Sequence, residues 1–146
     1  MSMFKEAQIT VRSVIEEIGA DGFPTAETEN TDISAEGRVA VRGELTTLEY
    51  TERGEGGEVK CRLALKGDGS IFLSRSGAVE CRLDFEENKT VKALYSVPPY
   101  SFDMTVTTKR IRRKLTGEGG EIALFYDMNL GGRDARVNMK ITYREK

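Results

Sequence analysis

Val59-Lys-Cys-Arg-Leu-Ala-Leu-Lys66, then Gly67-Asp68-Gly69, then Ile71-Phe-Leu-Ser-Arg75, then Ser76-Gly77, then Val79-Glu-Cys-Arg-Leu-Asp-Phe85: this stretch decides the fold. Val59, Cys61, Leu63 and Leu65 alternate with Lys60, Arg62 and Lys66. Ile71 and Leu73 resume the period after a glycine turn, and Val79, Cys81, Leu83 and Phe85 alternate with Glu80, Arg82 and Asp84. A period of two with one polar face marks an antiparallel strand buried on one side. The glycines between the runs supply the positive φ that tight hairpins require.

The same pattern extends in both directions. Ile9, Val11, Ser13 and Ile15 precede it; Val91, Ala93, Tyr95 and Val97, then Phe102, Met104, Val106 and Thr108, follow. Ile122, Leu124, Tyr126, Met128 and Leu130 form the next face, and Ala135, Val137, Met139, Ile141 and Tyr143 the last. Glu87-Asn88-Lys89, Pro98-Pro99 and Gly131-Gly132 punctuate these runs. Residues 21–37 are polar and irregular, so they read as a loop, with Gly37 marking a bulge. Any helix is confined to a short piece near residues 19–24. About ten hairpin-linked strands predict an all-β single domain over residues 1–146. Closure into an antiparallel barrel would remove the edges that so wide an open sheet leaves unprotected.

Composition narrows the function classes. With 38% hydrophobic and 32% charged residues the 146-residue chain is globular rather than disordered. A net charge of −2 is not that of a general polyanion binder, which leaves only a local basic patch for such a partner. The opening Met-Ser-Met-Phe-Lys-Glu runs into no apolar stretch, and no segment is long and apolar enough to span a membrane as a helix. With two cysteines, a reducing, cytoplasmic setting is expected. There is no histidine, which removes Ser-His-Asp and Cys-His machinery and every His-bearing metal site. An enzyme is therefore disfavoured though not excluded, and no metal or other cofactor is expected.

Several segments together carry a resemblance. Leu73-Ser-Arg-Ser-Gly-Ala-Val79, Phe85, and Tyr95 with Pro98-Pro99 are followed by Thr105-Val-Thr-Thr-Lys-Arg-Ile111. Gly120-Glu-Ile-Ala-Leu-Phe-Tyr126 and Asn138-Met-Lys-Ile-Thr-Tyr143 come after them. Their order and spacing resemble the YwiB-like family of uncharacterised bacterial proteins from about residue 34 to the carboxyl end, and Ile9-Thr-Val-Arg-Ser-Val-Ile15 resembles its first strand. The resemblance implies a calycin-like, or lipocalin-like, barrel of about eight to ten strands. It carries no activity with it. The chain departs from the family's pattern over residues 21–32, which puts the start of the second strand in question.

Candidate site residues are few. Gly-Glu-Gly-Gly-Glu occurs at residues 54–58 and 117–121, but each copy runs into a strand and its glutamates would repel phosphate, so both read as turns. Arg75 continues the alternation of Ile71 and Leu73 and so points inward, where it would hold a carboxylate or phosphate, or simply tie down turn carbonyls. Tyr50, Tyr95, Tyr126 and Tyr143 fall on inward faces, as ligand-stacking rings or as core filler. Lys109, Arg110, Arg112, Arg113 and Lys114 crowd one short segment, either a nucleic-acid strip or a solvated edge. As a strand, that segment would place Lys109, Ile111 and Arg113 on one face and project past the barrel, with Tyr100 or Phe102 near enough to stack on a base.

The expected function is a non-catalytic barrel that binds a small, partly apolar molecule in its mouth or lumen, using Arg75 and the four tyrosines. The alternative is an interaction module that binds RNA or a protein through residues 109–114. Cys61 and Cys81 both read as inward and lie on strands separated by that of Ile71 and Leu73, too far apart to bridge. Alkylation of protein unfolded without reductant should therefore label both thiols in the mass spectrum; an unlabelled pair would refute this placement.

Overall fold

Each alternating run becomes a strand in the computed structural model, which describes residues 3–116 and 118–146. Met1, Ser2 and Gly117 lie outside the described residues, so the second glycine-rich copy is followed only from Glu118. The strands are β1 (Lys5–Ile18), β2 (Pro24–Arg42), β3 (Leu45–Gly54), β4 (Gly57–Leu65) and β5 (Ile71–Gly77). They continue as β6 (Cys81–Phe85), β7 (Thr90–Val97), β8 (Tyr100–Leu115), β9 (Gly119–Leu130) and β10 (Arg133–Glu145). All ten belong to one sheet in the order β6-β5-β4-β3-β2-β1-β10-β9-β8-β7. Every ladder is antiparallel. The sheet curls until its outer strands meet at a bridge between Glu80 and Ser96, whose two backbone bonds measure 2.8 and 2.9 Å. The result is an antiparallel barrel, nearly closed.

The inward face of each strand is the one the alternation marks. Ile9, Leu48, Leu63, Leu65, Ile71, Phe85, Val106, Ile122 and Ile141 are all at most 1% exposed. Burial on this scale stabilises the fold by about 1.5–3 kcal/mol for each large side chain. No space for a water lies beside these nine side chains, since it would leave them measurably exposed. Tyr126 of β9 reaches across to Phe85 of β6, their ring centroids 5.0 Å apart. At one end, Arg113 of β8 donates to the carbonyls of Lys66 and Ser70 at 2.7 and 2.6 Å, tying the β4–β5 turn to the opposite wall.

Three expectations need correction. Residues 21–37 are mostly strand: β2 is 19 residues long, and its first part looks irregular because both its faces are largely exposed, so selection for alternation is weak. The piece near residues 19–24 is a turn closed by the Gly19 N–H on the Phe23 carbonyl at 2.9 Å, not a helix. Gly37 marks no bulge. It is where β2 and β3 part company, and a Cβ there would lie 2.3 Å from the Glu49 carbonyl oxygen and 2.6 Å from Ile9 Cδ1.

The basic segment also differs from expectation. Residues 109–114 do not project; they are paired with β9 inside the barrel wall. The register shifts between Thr108 and Arg110, so Lys109 is an extra residue that turns outward beside Arg110. Met104, Val106 and Thr108 then face inward before the bulge, and Ile111 and Arg113 after it. An inward Arg113 is tolerated because its guanidinium reaches two carbonyls, although burial presses against its charge.

Glycine at position 37 is thus a packing requirement. Gly37→Ala should lower stability by about 3 kcal/mol or more in urea unfolding, because backbone stands in the way. Gly54→Ala, where a Cβ meets nothing within 4 Å, should change it by less than ~0.5 kcal/mol.

Candidate functional site

Arg75 does point inward, and register explains its company. Tyr50, Cys61, Arg75 and Cys81 are directly opposed across β3, β4, β5 and β6, so four polar or polarisable side chains form one interior row. Glu52, two residues along β3 from Tyr50, meets Arg75 at 2.7 Å, with the two side chains 19% and 24% exposed. The guanidinium is therefore spent on an internal carboxylate. Burial opposes its charge more than any one neighbour favours it, but Glu52, Cys61 and Tyr95 together outweigh burial and hold Arg75 protonated beyond the ordinary arginine range. Its Nε is buried without a partner among the described residues. Removing either charge alone would strand the other in the interior.

The tyrosines separate by environment. Tyr50, Tyr126 and Tyr143 are buried, while Tyr95 is half-buried. Burial raises the hydroxyl pKa of Tyr50 and pushes that of Tyr126 up to about 12. Burial likewise pushes the Cys61 thiol up to about 11 and raises that of Cys81, so neither is a ready nucleophile. Both cysteines are free thiols in the interior, with Arg75 between them in register. Two cavities have none of Arg75, Tyr50, Tyr95 and Tyr126 in their walls; Tyr143 lines one of them, a hollow of about 470 Å³ at one barrel end with Val39, Val41 and Leu115.

The other cavity, about 590 Å³, lies on the outer face instead. Two cross-strand rows build it. One runs Arg110, Phe125, Asn138, Val14 across β8, β9, β10 and β1; the next runs Arg112, Ala123, Lys140, Arg12. The bulge adds Lys109 at the rim. The floor is thus apolar, from Val14, Ala123 and the half-buried ring of Phe125, and the flanks are cationic. Lys109 lies 3.8 Å from Asp127, Arg12 lies 3.5 Å from Asp32, and Lys140 pairs with Glu121. Arg110 and Arg112 have no carboxylate partner among the described residues.

Of the five basic residues picked out by contiguity, the structure therefore brings Lys109, Arg110 and Arg112 to this groove. Lys114 lies on the same outward face further along, opposite Glu121, whereas Arg113 is turned into the barrel. Tyr100 and Phe102 are at the far end of β8, and the ring beside the arginines is Phe125. Arg12, Lys140 and Phe125 went unnoticed because their neighbours come from distant strands. One signal was present: Ile122-Ala-Leu-Phe-Tyr126 is apolar at every position, so β9 has an apolar outer face where other strands are polar. Among the described residues no three acidic or thiol groups are placed to hold a metal ion, and no helix is long and apolar enough to cross a membrane.

The interior row makes stability fall in alkali. An unfolded thiol loses its proton near pH 8.5, whereas folded Cys61 keeps it to about 11, so above about pH 9 the unfolded chain binds fewer protons and gains stability. The urea midpoint should be flat from about pH 7 to 8 and should drop by the equivalent of roughly 2 kcal/mol approaching pH 11. Cys61→Ala should flatten part of that decline; an unchanged profile would contradict the burial assigned to this thiol.

Comparison with known proteins places this architecture. The model of a domain of unknown function (DUF1934) matches residues 9–141. The uncharacterized beta-barrel protein YwiB of Bacillus subtilis (strain 168) is 31% identical over 144 residues, covering 97% of this chain and 96% of that protein. The crystal structure of the ywiB protein from Bacillus subtilis superposes with a TM-score of 0.85 at 28% identity, covering 100% of this chain and 95% of that one. A ten-stranded antiparallel barrel with these matches along almost its whole length belongs to the DUF1934, or YwiB-like, family.

Proposed function

We propose that this barrel is a binding module that takes a single-stranded nucleic acid on its outer face, in the groove across β8, β9, β10 and β1. The observation that carries the reading is the pair Arg110 and Arg112, which have no carboxylate partner among the described residues and stand directly opposite Phe125 and Ala123. Guanidinium groups beside a partly exposed ring supply what a single strand needs: cations for phosphates and a π-face for a base. The acidic remainder of the surface would confine such binding to this face. An acidic protein would satisfy the arginines but has no use for the ring.

A second reading keeps the expected small, partly apolar ligand. It rests on the hollow at the barrel end, where Tyr143 stands beside Val39, Val41 and Leu115. Arg75 is not needed for it. Such a ligand would be lost on Val41→Asp and unaffected by changes in the groove.

Oligonucleotide binding at two salt concentrations separates these possibilities. Contacts to two to four phosphates predict that log K falls with log salt at a slope of about −1.5 to −3. The double variant Arg110→Ser/Arg112→Ser should flatten that slope, and Phe125→Ala should weaken binding about tenfold with the slope unchanged. Duplex should bind less well, having no free base to stack. Binding that ignores both variants, or none at low salt, would remove the nucleic-acid reading.

A further inference from the structure

The first half of β2 forms a long strand edge that no strand among the described residues covers. β2 pairs with β3 only from Gly37↔Tyr50 to Arg42↔Leu45, while its pairing with β1 continues to Pro24. Along residues 25–36, every second residue therefore turns its N–H and C=O away from β1 toward no paired strand among the described residues. Among the described residues none of these edge groups bonds to another strand. Residues 51–54 of β3 continue beyond that point paired to β4 alone.

The side chains along this edge identify what fits. Residues 25–36 hold Glu27, Glu29, Asp32 and Glu36 and no lysine or arginine. Asp32 and Glu36 are partnered by Arg12 and Lys146, but Glu27 and Glu29 have no cationic partner among the described residues. Glu27 lies close enough to Glu17 to hydrogen-bond it and to raise its pKa, a sign that negative charge accumulates here. On the inner face, Ile33 and Ala35 are only partly buried and pack against the core.

We propose that residues 25–36 of β2 are a strand-addition site for an extended basic segment of a partner protein. The added strand would pair antiparallel or parallel with the free edge, set apolar side chains beside Ile33 and Ala35, and set lysines or arginines beside the acidic residues. A second copy of this chain does not fit, since β2 against β2 would oppose acid to acid. A nucleic acid is repelled by the same charges. This site is independent of the groove and stands or falls apart from it.

The probe is a blocked peptide long enough to span residues 25–36, with valine where it faces Ile33 and Ala35 and lysine where it faces Glu27, Glu29 and the outer side, measured by binding and by amide hydrogen exchange of the full chain. Exchange of the edge amides in residues 25–36 should slow about tenfold or more at saturation. The same peptide with every backbone N–H methylated should fail to bind, because it keeps the charge and loses the ladder. Glu27→Gln/Glu29→Gln, at exposed positions with little structural risk, should weaken binding about three- to tenfold. Equal binding of the methylated peptide, equal binding of a glutamate–valine peptide, or protection elsewhere than residues 25–36 would overturn the proposal. So would sedimentation showing that the free chain already dimerises with these amides protected.

Discussion

One inserted residue in β8 sets both faces of this barrel. Without Lys109 as an extra residue, the alternation that buries Met104, Val106 and Thr108 would carry Arg110 and Arg112 into the interior and leave Ile111 outside. Two charged groups in an apolar interior with no carboxylate near them would not be tolerated. The bulge therefore protects the core and at the same stroke gathers Lys109 and Arg110 side by side on the outer wall. It also swings Arg113 inward, where its guanidinium meets the two turn carbonyls of Lys66 and Ser70.

The two charge systems this creates differ in kind. Inside, Arg75 and Glu52 neutralise each other among tyrosines and thiols, a self-contained arrangement that fixes the β3–β5 wall and offers little to a visitor. Outside, cations and anions are segregated: basic across β8 to β1, acidic along the first half of β2, with the Arg12–Asp32 pair as their boundary. Segregation over one strand spacing lets neighbouring surfaces of a nearly neutral protein attract partners of opposite charge.

Much of this was legible in the chain. Alternation found the inward residues Ile9 through Tyr143, because burial of one sheet face leaves a local mark at every second position. Pairing leaves none. That Arg12, Lys140, Ala123 and Arg112 share one row follows only from ladders between strands far apart in sequence. The change of parity between Thr108 and Ile111 was written in the sequence, but a run of basic residues masks which of them is extra. The first part of β2 was misread for a physical reason too, since a strand exposed on both faces has no pattern to read.

Ladder length does not follow sequence distance around the ring. β1 and β10, separated by nearly the whole chain, share twelve paired residues, whereas β6 and β7, joined by a short turn, share a single bridge. Folding must therefore bring distant segments together before the β1–β10 ladder can form, which places this barrel among slow, high-contact-order topologies. Once formed, the ring has one weak link. Thermal fluctuation should part the wall first beside Glu80 and Ser96, next to the interior row, so that line is where solvent reaches the buried thiols without global unfolding.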